Sequence, residues 1–316
     1  MSTIDPPAAP VAAPPRPLHV VGVSLGSATR DHHVELTLLG RRVIAERVGV
    51  ENLAAYRRRL QELDGRVDVI GIGGANLALA AGNRVYPIRD VARLVEGIRT
   101  PVVDGSGLKS LLEKHLILQV LPREYGVDFR RRRVLQVVAV DRYGMAEAFT
   151  QAGAEVRFGD LMFGLGIPVL LRGLATIRVV AAILLPVVTR LPFTWLYPTG
   201  SKQEKITPKF GRVYRWAEVL AGDFHFIRRF MPDDLSGRIV FTNTLTAMDV
   251  EELRRRGVRL LVTPSPNLGG RSFGTNVVQA ILVAVSGRRP ETLTPQDYLR
   301  LMEQVGFRPR VEILTA

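Results

Sequence analysis

Short runs of β-branched and aliphatic residues alternate with stretches of helical spacing along most of the chain. In the first half, apolar runs at 34–39 and 43–48 predict a hairpin around Gly40, and runs at 77–81 and 84–88 predict a second one. Helical stretches separate these hairpins. The first half therefore indicates a mixed α/β domain.

The second half is more regular, because short apolar runs alternate there with helical stretches of about ten residues. Such alternation is typical of βαβ crossovers and a mainly parallel sheet covered on both faces. The expected fold is therefore α/β with two domains, a mixed α/β N-terminal domain and a Rossmann-like C-terminal domain. Their predicted bounds are 18–127 and 128–316, after a disordered, Pro- and Ala-rich tail at 1–17.

Composition narrows the chemistry of the 316-residue chain. It has no cysteine, which excludes disulfides, thiolate metal sites and a cysteine nucleophile. The net charge is +13, and 38 of the 43 basic residues are arginines. This charge indicates either affinity for anions or the arginine bias of a GC-rich genome. The tail at 1–17 lacks the pattern of a signal peptide, so a cytoplasmic location is expected.

The most apolar region, 161–195, is interrupted by arginines and by Pro168 and Pro186. Its uninterrupted runs are too short for a membrane-spanning helix, which needs roughly 20 apolar residues. We expect a buried or interface helix pair that provides a homodimer surface. Association with a membrane surface is the alternative.

A candidate dinucleotide site follows the first strand of the second half. Gly144 stands where a helix begins, and Asp160 near the end of the next strand is placed to bind ribose hydroxyls. Arg142 could offset phosphate charge, and Thr242 and Asn243 end a later strand. A carboxylate at Asp160 favours NAD over NADP. Only one glycine stands where the dinucleotide fingerprint has three, and a plain βαβ unit is the alternative.

A Gly-rich loop before the helix at 275–285 is a second candidate. Arg271 offers a planar cation for a carboxylate or phosphate, and Ser272 and Asn276 offer hydrogen bonds. These three residues are predicted to bind substrate. The alternative is a connection whose polar residues only cap the helix.

Acid–base chemistry has two candidate pairs. His225 with Asp223 follows a strand, where ligands of parallel sheets bind. Lys109 with Asp104 lies in a Gly-rich loop of the first half. The alternatives are that His225 only packs in a partly buried position and that Lys109 lies in solvent.

Other loops of the first half end strand-like runs with glycines and polar groups, and they could converge on one sheet edge. Their predicted substrate-binding residues are Ser24, Ser27, Asn76 and Ser106. No metal site is predicted, because His32 and His33 need a third ligand that the sequence cannot place.

Several motifs together resemble one bacterial family. Val23-Ser-Leu-Gly-Ser, Val103-Asp-Gly-Ser-Gly-Leu-Lys109, Gly222-Asp-Phe-His225 and Gly270-Arg-Ser-Phe-Gly-Thr-Asn276 resemble the family commonly labelled quinate 5-dehydrogenase, which is quinate/shikimate dehydrogenase-like. The resemblance covers nearly all of the chain after Pro17. It implies an NAD(P)-dependent dehydrogenase that acts on an alcohol of a hydroxylated cyclic carboxylate.

The expected function is hydride transfer between nicotinamide and a secondary alcohol or ketone, with a small anionic substrate bound between the domains. The alternative is a non-redox protein that binds a nucleotide or phosphosugar, as a transferase or a ligand sensor. Nucleic acid is not an expected partner, because the arginines are dispersed and no recognition motif occurs.

Overall fold

The structure is a computed structural model that describes residues 16–26, 28, 31–74, 77–191, 206–243, 245–268 and 271–315. Its strands are β1 (Leu18–Leu25), β2 (His32–Leu38), β3 (Arg41–Val50), β4 (Val69–Gly73), β5 (Ala78–Ala81), β6 (Arg84–Pro87), β7 (Val102–Val103), β8 (Arg133–Gln136), β9 (Glu155–Phe158), β10 (Val219–Ala221), β11 (Ile239–Phe241), β12 (Leu260–Thr263), β13 (Asn267–Leu268), β14 (Arg271–Ser272) and β15 (Arg310–Ile313).

The α-helices are α1 (Leu53–Leu63), α2 (Arg89–Leu94), α3 (Ser106–His115), α4 (Leu121–Glu124), α5 (Tyr143–Gln151), α6 (Leu174–Val188), α7 (Gly211–Trp216), α8 (Phe224–Phe230), α9 (Ala247–Arg255), α10 (Thr275–Ser286) and α11 (Pro295–Gln304). Two π-helical turns, Leu116–Val120 and Asp160–Gly164, and one 3₁₀ turn, Pro290–Thr292, complete the helical elements of the described part.

The N-terminal sheet has five strands in the order β2-β3-β1-β4-β7. β1 is parallel to β3 and β4, and β4 is parallel to β7, so four strands end at one edge. β2 and β3 form the predicted hairpin around Gly40, and β5 pairs with β6 as the second hairpin. Gly82 adopts φ +64° in the second turn, a conformation that glycine tolerates. Both hairpin predictions are confirmed.

The C-terminal sheet has six strands in the order β15-β12-β11-β10-β8-β9, and every pair is parallel except β12 with β15. Alternate residues pack on opposite faces. Leu135, Leu220 and Leu261 belong to one apolar cluster, and Val134 and Val219 belong to another. The sheet is therefore covered on both faces, as the apolar strands predicted. The strand order reverses between β8 and β10, which makes this the switch point of the sheet.

The chain is mixed α/β with parallel-rich sheets, and it passes between the two sheets more than once. α10 follows the C-terminal strands but packs on the N-terminal sheet, with ten of its twelve residues buried. Glycines permit this approach, since a Cβ on Gly22 would lie 2.4 Å from Val277 Cγ2. A Cβ on Gly71 would lie 3.0 Å from the Asn276 carbonyl oxygen. The division into domains at 127/128 stays a prediction.

The apolar region differs from the expected helix pair. Within its described part, 161–191, one α-helix forms, α6, after the π-helical turn at Asp160–Gly164. Between them Gly166 has φ +75° and Pro168 lacks an amide donor, so the chain is irregular until Leu171 bridges to Phe158. Residues 192–195 lie outside the described residues. No described helix combines the length and apolar character that a membrane span requires.

Candidate functional site

The ends of β1 and β4 and the loop after β7 meet the first turn of α10 at the edge where the parallel strands end. A Cβ placed on Gly73 would lie 2.7 Å from Ser24 Oγ and 3.0 Å from Asn276 Nδ2. A Cβ on Gly105 would lie 2.5 Å from the Asn276 backbone nitrogen. The ends of β1 and β4 and the loop after β7 therefore converge, as the sequence predicted, and they converge on a helix from the C-terminal half.

Two polar side chains near this helix start are buried without a partner. Asn276 is 7% exposed and Ser272 is 2% exposed. Among the described residues, neither Asn276 Nδ2 nor Ser272 Oγ has a hydrogen-bond partner. No side chain caps α10 at Gly274, and the first turn of a helix attracts negative charge. The arrangement can donate hydrogen bonds to a carboxylate, a phosphate or a hydroxyl oxygen.

Asp104 organises the neighbouring loops. Its Oδ1 accepts hydrogen bonds from the backbone nitrogen (2.9 Å) and the hydroxyl (2.6 Å) of Ser106, and its Oδ2 accepts one from the Leu77 backbone nitrogen (3.2 Å). The next residue, Gly105, donates to Gln279 Oε1 at 2.9 Å. Asp104 and Ser106 thus lie at the start of α3, beside the first turn of α10.

α3 carries two charged side chains towards the switch point of the C-terminal sheet. Lys109 Nζ lies 3.9 Å from Asp141 Oδ1, a contact that the sequence did not predict, and both side chains are almost fully buried. Glu113, one turn further along α3, forms an ion pair with Arg142, and their side chains are 0% and 2% exposed. Arg142 Nε also lies 3.6 Å from Asp141 Oδ2. These four residues form a buried charge network.

The charges in the network keep Arg142 protonated. Burial by itself lowers the pKa of the Arg142 guanidinium, but Glu113, Asp141 and Asp223 raise it above its usual value. Arg142 therefore forms its ion pairs with carboxylates inside the protein. This position differs from the phosphate contact that the sequence suggested for it.

The ends of β10 and β11 contribute a second polar group. Asp223 Oδ2 accepts a hydrogen bond from Asn243 Nδ2 at 2.6 Å, and its Oδ1 accepts one from the His225 backbone nitrogen at 2.9 Å. Thr242 Oγ1 donates to the Gly222 carbonyl oxygen at 2.8 Å. Burial alone would raise the pKa of Asp223, but the neighbouring His225 and Arg142, with the hydrogen bonds from the His225 backbone nitrogen and Asn243 Nδ2, lower it. Asp223 is therefore an anchored carboxylate that caps α8.

The turn after β8 is filled by the protein's own groups. Asp160 Oδ1 accepts hydrogen bonds from the backbone nitrogens of Ala139 (2.9 Å) and Val140 (3.0 Å). Gln136 Nε2 donates to the Arg142 carbonyl oxygen at 2.9 Å. Burial raises the pKa of Asp160 to about 6. Asp160 binds the turn itself, in place of a ribose.

Gly144 has a packing role at the start of α5. A Cβ there would lie 1.9 Å from Ser110 Oγ and 3.0 Å from Ser110 Cα, so α3 lies directly against this glycine. With α3 on one side and the Asp160 carboxylate in the turn, the residues present do not fit a dinucleotide pyrophosphate at the start of α5.

Three predicted residues lie wholly or partly beyond the described part. Ser27 and Asn76 are outside the described residues, and of Arg271 only the backbone is described, in β14. The described residues contain no group of three or more His, Cys, Asp or Glu side chains that could hold a metal ion.

Sequence reasoning missed Glu113, Ser110 and Gln279. Glu113 follows Lys109 by one helical turn, and this spacing places both charges on one face of α3. That signal was available in the sequence. The contacts of Ser110 and Gln279 depend on how α3 meets α5 and α10, and no local pattern encodes them.

Two family models match the chain. Residues 107–314 match the model described as Domain of unknown function (DUF8754), and residues 19–104 match the one described as Domain of unknown function (DUF8753). A comparison with curated proteins finds no match.

Several solved structures are distantly similar. L-tryptophan dehydrogenase from Nostoc punctiforme is 10% identical, with 92% of this chain and 81% of that chain covered, at a TM-score of 0.37. The malic enzyme of Entamoeba histolytica is 12% identical, with 91% and 68% covered, also at 0.37. A galactofuranose binding protein is 14% identical, with 92% and 99% covered, at 0.34. All three TM-scores are below 0.5.

Proposed function

The chain belongs to the family described as Domain of unknown function (DUF8754), and we propose that it binds a small hydroxylated carboxylate where α3 and α10 meet and acts on it by acid–base chemistry. The observation that carries this proposal is a pair of buried donors, Asn276 Nδ2 and Ser272 Oγ, near the first turn of α10, for which the described part of the chain supplies no acceptor. A buried donor without a partner costs about 1–3 kcal/mol, so a ligand oxygen that accepts from it binds favourably.

The ligand's carboxylate is assigned to the donors at α10. The helix dipole favours an anion there, and the Asn276 amide and Ser272 hydroxyl supply directed hydrogen bonds. Ser24 Oγ lies across Gly73 from the Asn276 amide and is placed for a ligand hydroxyl. This combination favours an anion that also carries hydroxyl groups over a bare inorganic ion.

Proton transfer is assigned to Lys109, with Asp141 as its partner at 3.9 Å. A lysine that loses or gains a proton in a buried site needs a nearby carboxylate to stabilise its charged form. Arg142 holds Asp141 from its other side, at 3.6 Å, and Glu113 fixes Arg142 in turn. Glu113 and Arg142 thus orient the acid–base pair without themselves contacting the ligand.

The resemblance to quinate/shikimate dehydrogenase-like proteins supports a finer hypothesis, oxidation of a ligand alcohol with NAD(P). The Lys109–Asp141 pair favours it, because such a pair can accept a hydroxyl proton. The filled turn after β8 opposes it, because the Asp160 carboxylate and α3 lie where a dinucleotide pyrophosphate would bind. Binding without redox chemistry, to a phosphosugar for example, is the second candidate, and the same donors at α10 favour it.

Isothermal titration with quinate, shikimate and inorganic phosphate, combined with the Asn276→Ala variant, tests the proposal. We expect at least one of these anions to bind, and Asn276→Ala to weaken it at least tenfold without lowering the melting temperature, because the lost donor has no partner in the free protein. Lys109→Ala should keep binding but abolish any turnover. An Asn276→Ala variant that binds normally, or that unfolds several degrees lower, would contradict the assignment.

The reaction class has its own measurement. Nicotinamide fluorescence titration with NADH and NADPH separates a dehydrogenase from a non-redox protein, since only the former quenches or enhances this signal at submillimolar concentrations. The homodimer and the cytoplasmic location stay predictions, and light scattering after size exclusion measures the first of them.

A further inference from the structure

Exposed apolar side chains are concentrated in one part of the chain. Of the eleven large hydrophobic residues that are exposed within the described part, six lie between 165 and 187. Three of them, Val179, Ile183 and Val187, follow one another at four-residue intervals on α6 and are 60%, 67% and 63% exposed. A spacing of four places them along one line of the helix. α6 therefore presents a continuous apolar stripe to its surroundings.

The opposite side of α6 is already buried in the protein. Ile177, Ala181 and Leu185 face the core that the N-terminal sheet shares with α5 and β9. A helix that is apolar all round is ordinarily covered all round. A row of exposed large apolar side chains is typical of an interaction surface, and none of these three residues belongs to the site at α3 and α10.

The charged residues around this stripe are mostly basic. From 161 to 191 the sequence has no Asp or Glu, whereas Arg172, Arg178 and Arg190 are basic. At the end of α6, an open groove of about 710 Å³ has Val85, Pro87 and Pro186 in its wall, together with Arg89, Arg93 and Arg190. Glu96 is the one acidic side chain in that wall. Within the described residues, these three groove arginines make no ion pair.

This charge distribution indicates which partner the apolar stripe of α6 binds. In a two-fold contact with a second copy, the same patch meets itself, so the unpaired arginines of both copies would face one another without carboxylates between them. An anionic lipid surface satisfies both features, because its headgroups pair with arginines and its acyl boundary accepts apolar side chains.

We propose that α6, with the adjoining arginines Arg89, Arg93 and Arg190, binds the surface of an anionic lipid bilayer. The helix lies in the plane of the membrane, with Val179, Ile183 and Val187 inserted at the headgroup boundary. This inference does not depend on the proposed ligand site.

Co-sedimentation of the full chain with vesicles tests the proposal. Vesicles of equal parts phosphatidylcholine and phosphatidylglycerol should retain the protein at least tenfold more strongly than phosphatidylcholine alone, and 0.5 M KCl should weaken binding. The Ile183→Glu/Val187→Glu variant should lose at least tenfold in binding. Met248→Glu is the matched control, since Met248 is 82% exposed on α9, and it should bind like the wild type.

Three outcomes would overturn the proposal. They are equal retention by both kinds of vesicle, undiminished binding of Ile183→Glu/Val187→Glu, and a wild-type dimer in light scattering that this variant converts to a monomer. The last outcome would assign the stripe to a second copy of the chain. Circular dichroism of each variant confirms that a loss of binding does not come from unfolding.

Discussion

Replacing Gly144 by alanine tests whether this glycine serves helix packing or phosphate binding. The added Cβ would lie 1.9 Å from Ser110 Oγ, 2.7 Å from Ser110 Cβ and 3.0 Å from Ser110 Cα. Rotation of the serine hydroxyl relieves only the first contact, so α3 itself has to move away from α5. Overpacking of this kind costs about 1–3 kcal/mol. The better helix propensity of alanine returns about 0.5–1 kcal/mol.

Together these contributions predict that Gly144→Ala loses about 0–2.5 kcal/mol in unfolding free energy, with a midpoint of about 1 kcal/mol that corresponds to roughly 2–4 °C in melting temperature. Urea denaturation monitored by circular dichroism measures the first quantity, and scanning calorimetry the second. Adding Ser110→Gly should recover part of the loss, because it removes the nearest two atoms. The coupling between the two sites should be at least about 0.5 kcal/mol.

Gly107→Ala is the matched control on α3. Its added Cβ would meet only Gln279 Nε2, at 3.7 Å, so this variant should be as stable as the wild type or more stable. If Gly144→Ala is as stable as Gly107→Ala, or if its effect simply adds to that of Ser110→Gly, α3 does not press on Gly144 and the packing interpretation is refuted.

Two further substitutions probe the buried charges. Glu113→Ala leaves the Arg142 guanidinium, which is 2% exposed, without its main partner. It should lower the unfolding free energy measured by urea denaturation by about 3–5 kcal/mol, and Glu113→Gln should lower it less. Equal stability of Glu113→Ala and wild type would contradict the ion pair. Burial raises the pKa of Asp160 to about 6. The protonated carboxyl therefore contributes its full stabilisation of the fold below about pH 4, and this stabilisation is lost as the pH rises through 6. Asp160→Asn should therefore gain about 1–3 kcal/mol relative to wild type between pH 4 and pH 7.5, and parallel pH–stability curves would show that Asp160 is not buried as described.

The strands and hairpins were predictable because their information is local. The hairpin around Gly40 and the one around Gly82 each combine two apolar runs with a turn residue. The alternation of strands and helices in the second half likewise required only short-range patterns. The apolar region at 161–195 was harder, since glycines and Pro168 interrupt what composition alone suggests to be helical.

The candidate site was predictable only in its residue types. Asn276 and Ser24 were chosen because they follow strands in glycine-containing loops, and the structure brings these two together. The pairing of charged side chains was not predictable, since Lys109 contacts Asp141, which lies more than thirty positions away in the sequence. The packing of α10 on the N-terminal sheet is equally non-local, because it requires Gly22 in β1 and Gly71 in β4 to lie against the first turn of α10.

Amide chemical shifts in a ¹⁵N-labelled sample test most directly the claim that the anion site lies at α10 and that the turn after β8 is filled. Titration with quinate or inorganic phosphate should shift Thr275 and Asn276, and titration with NAD⁺ should leave Ala139, Val140 and Gly144 unmoved. Saturable shifts of Ala139, Val140 and Gly144 with NAD⁺, with Thr275 and Asn276 silent towards every anion, would contradict it.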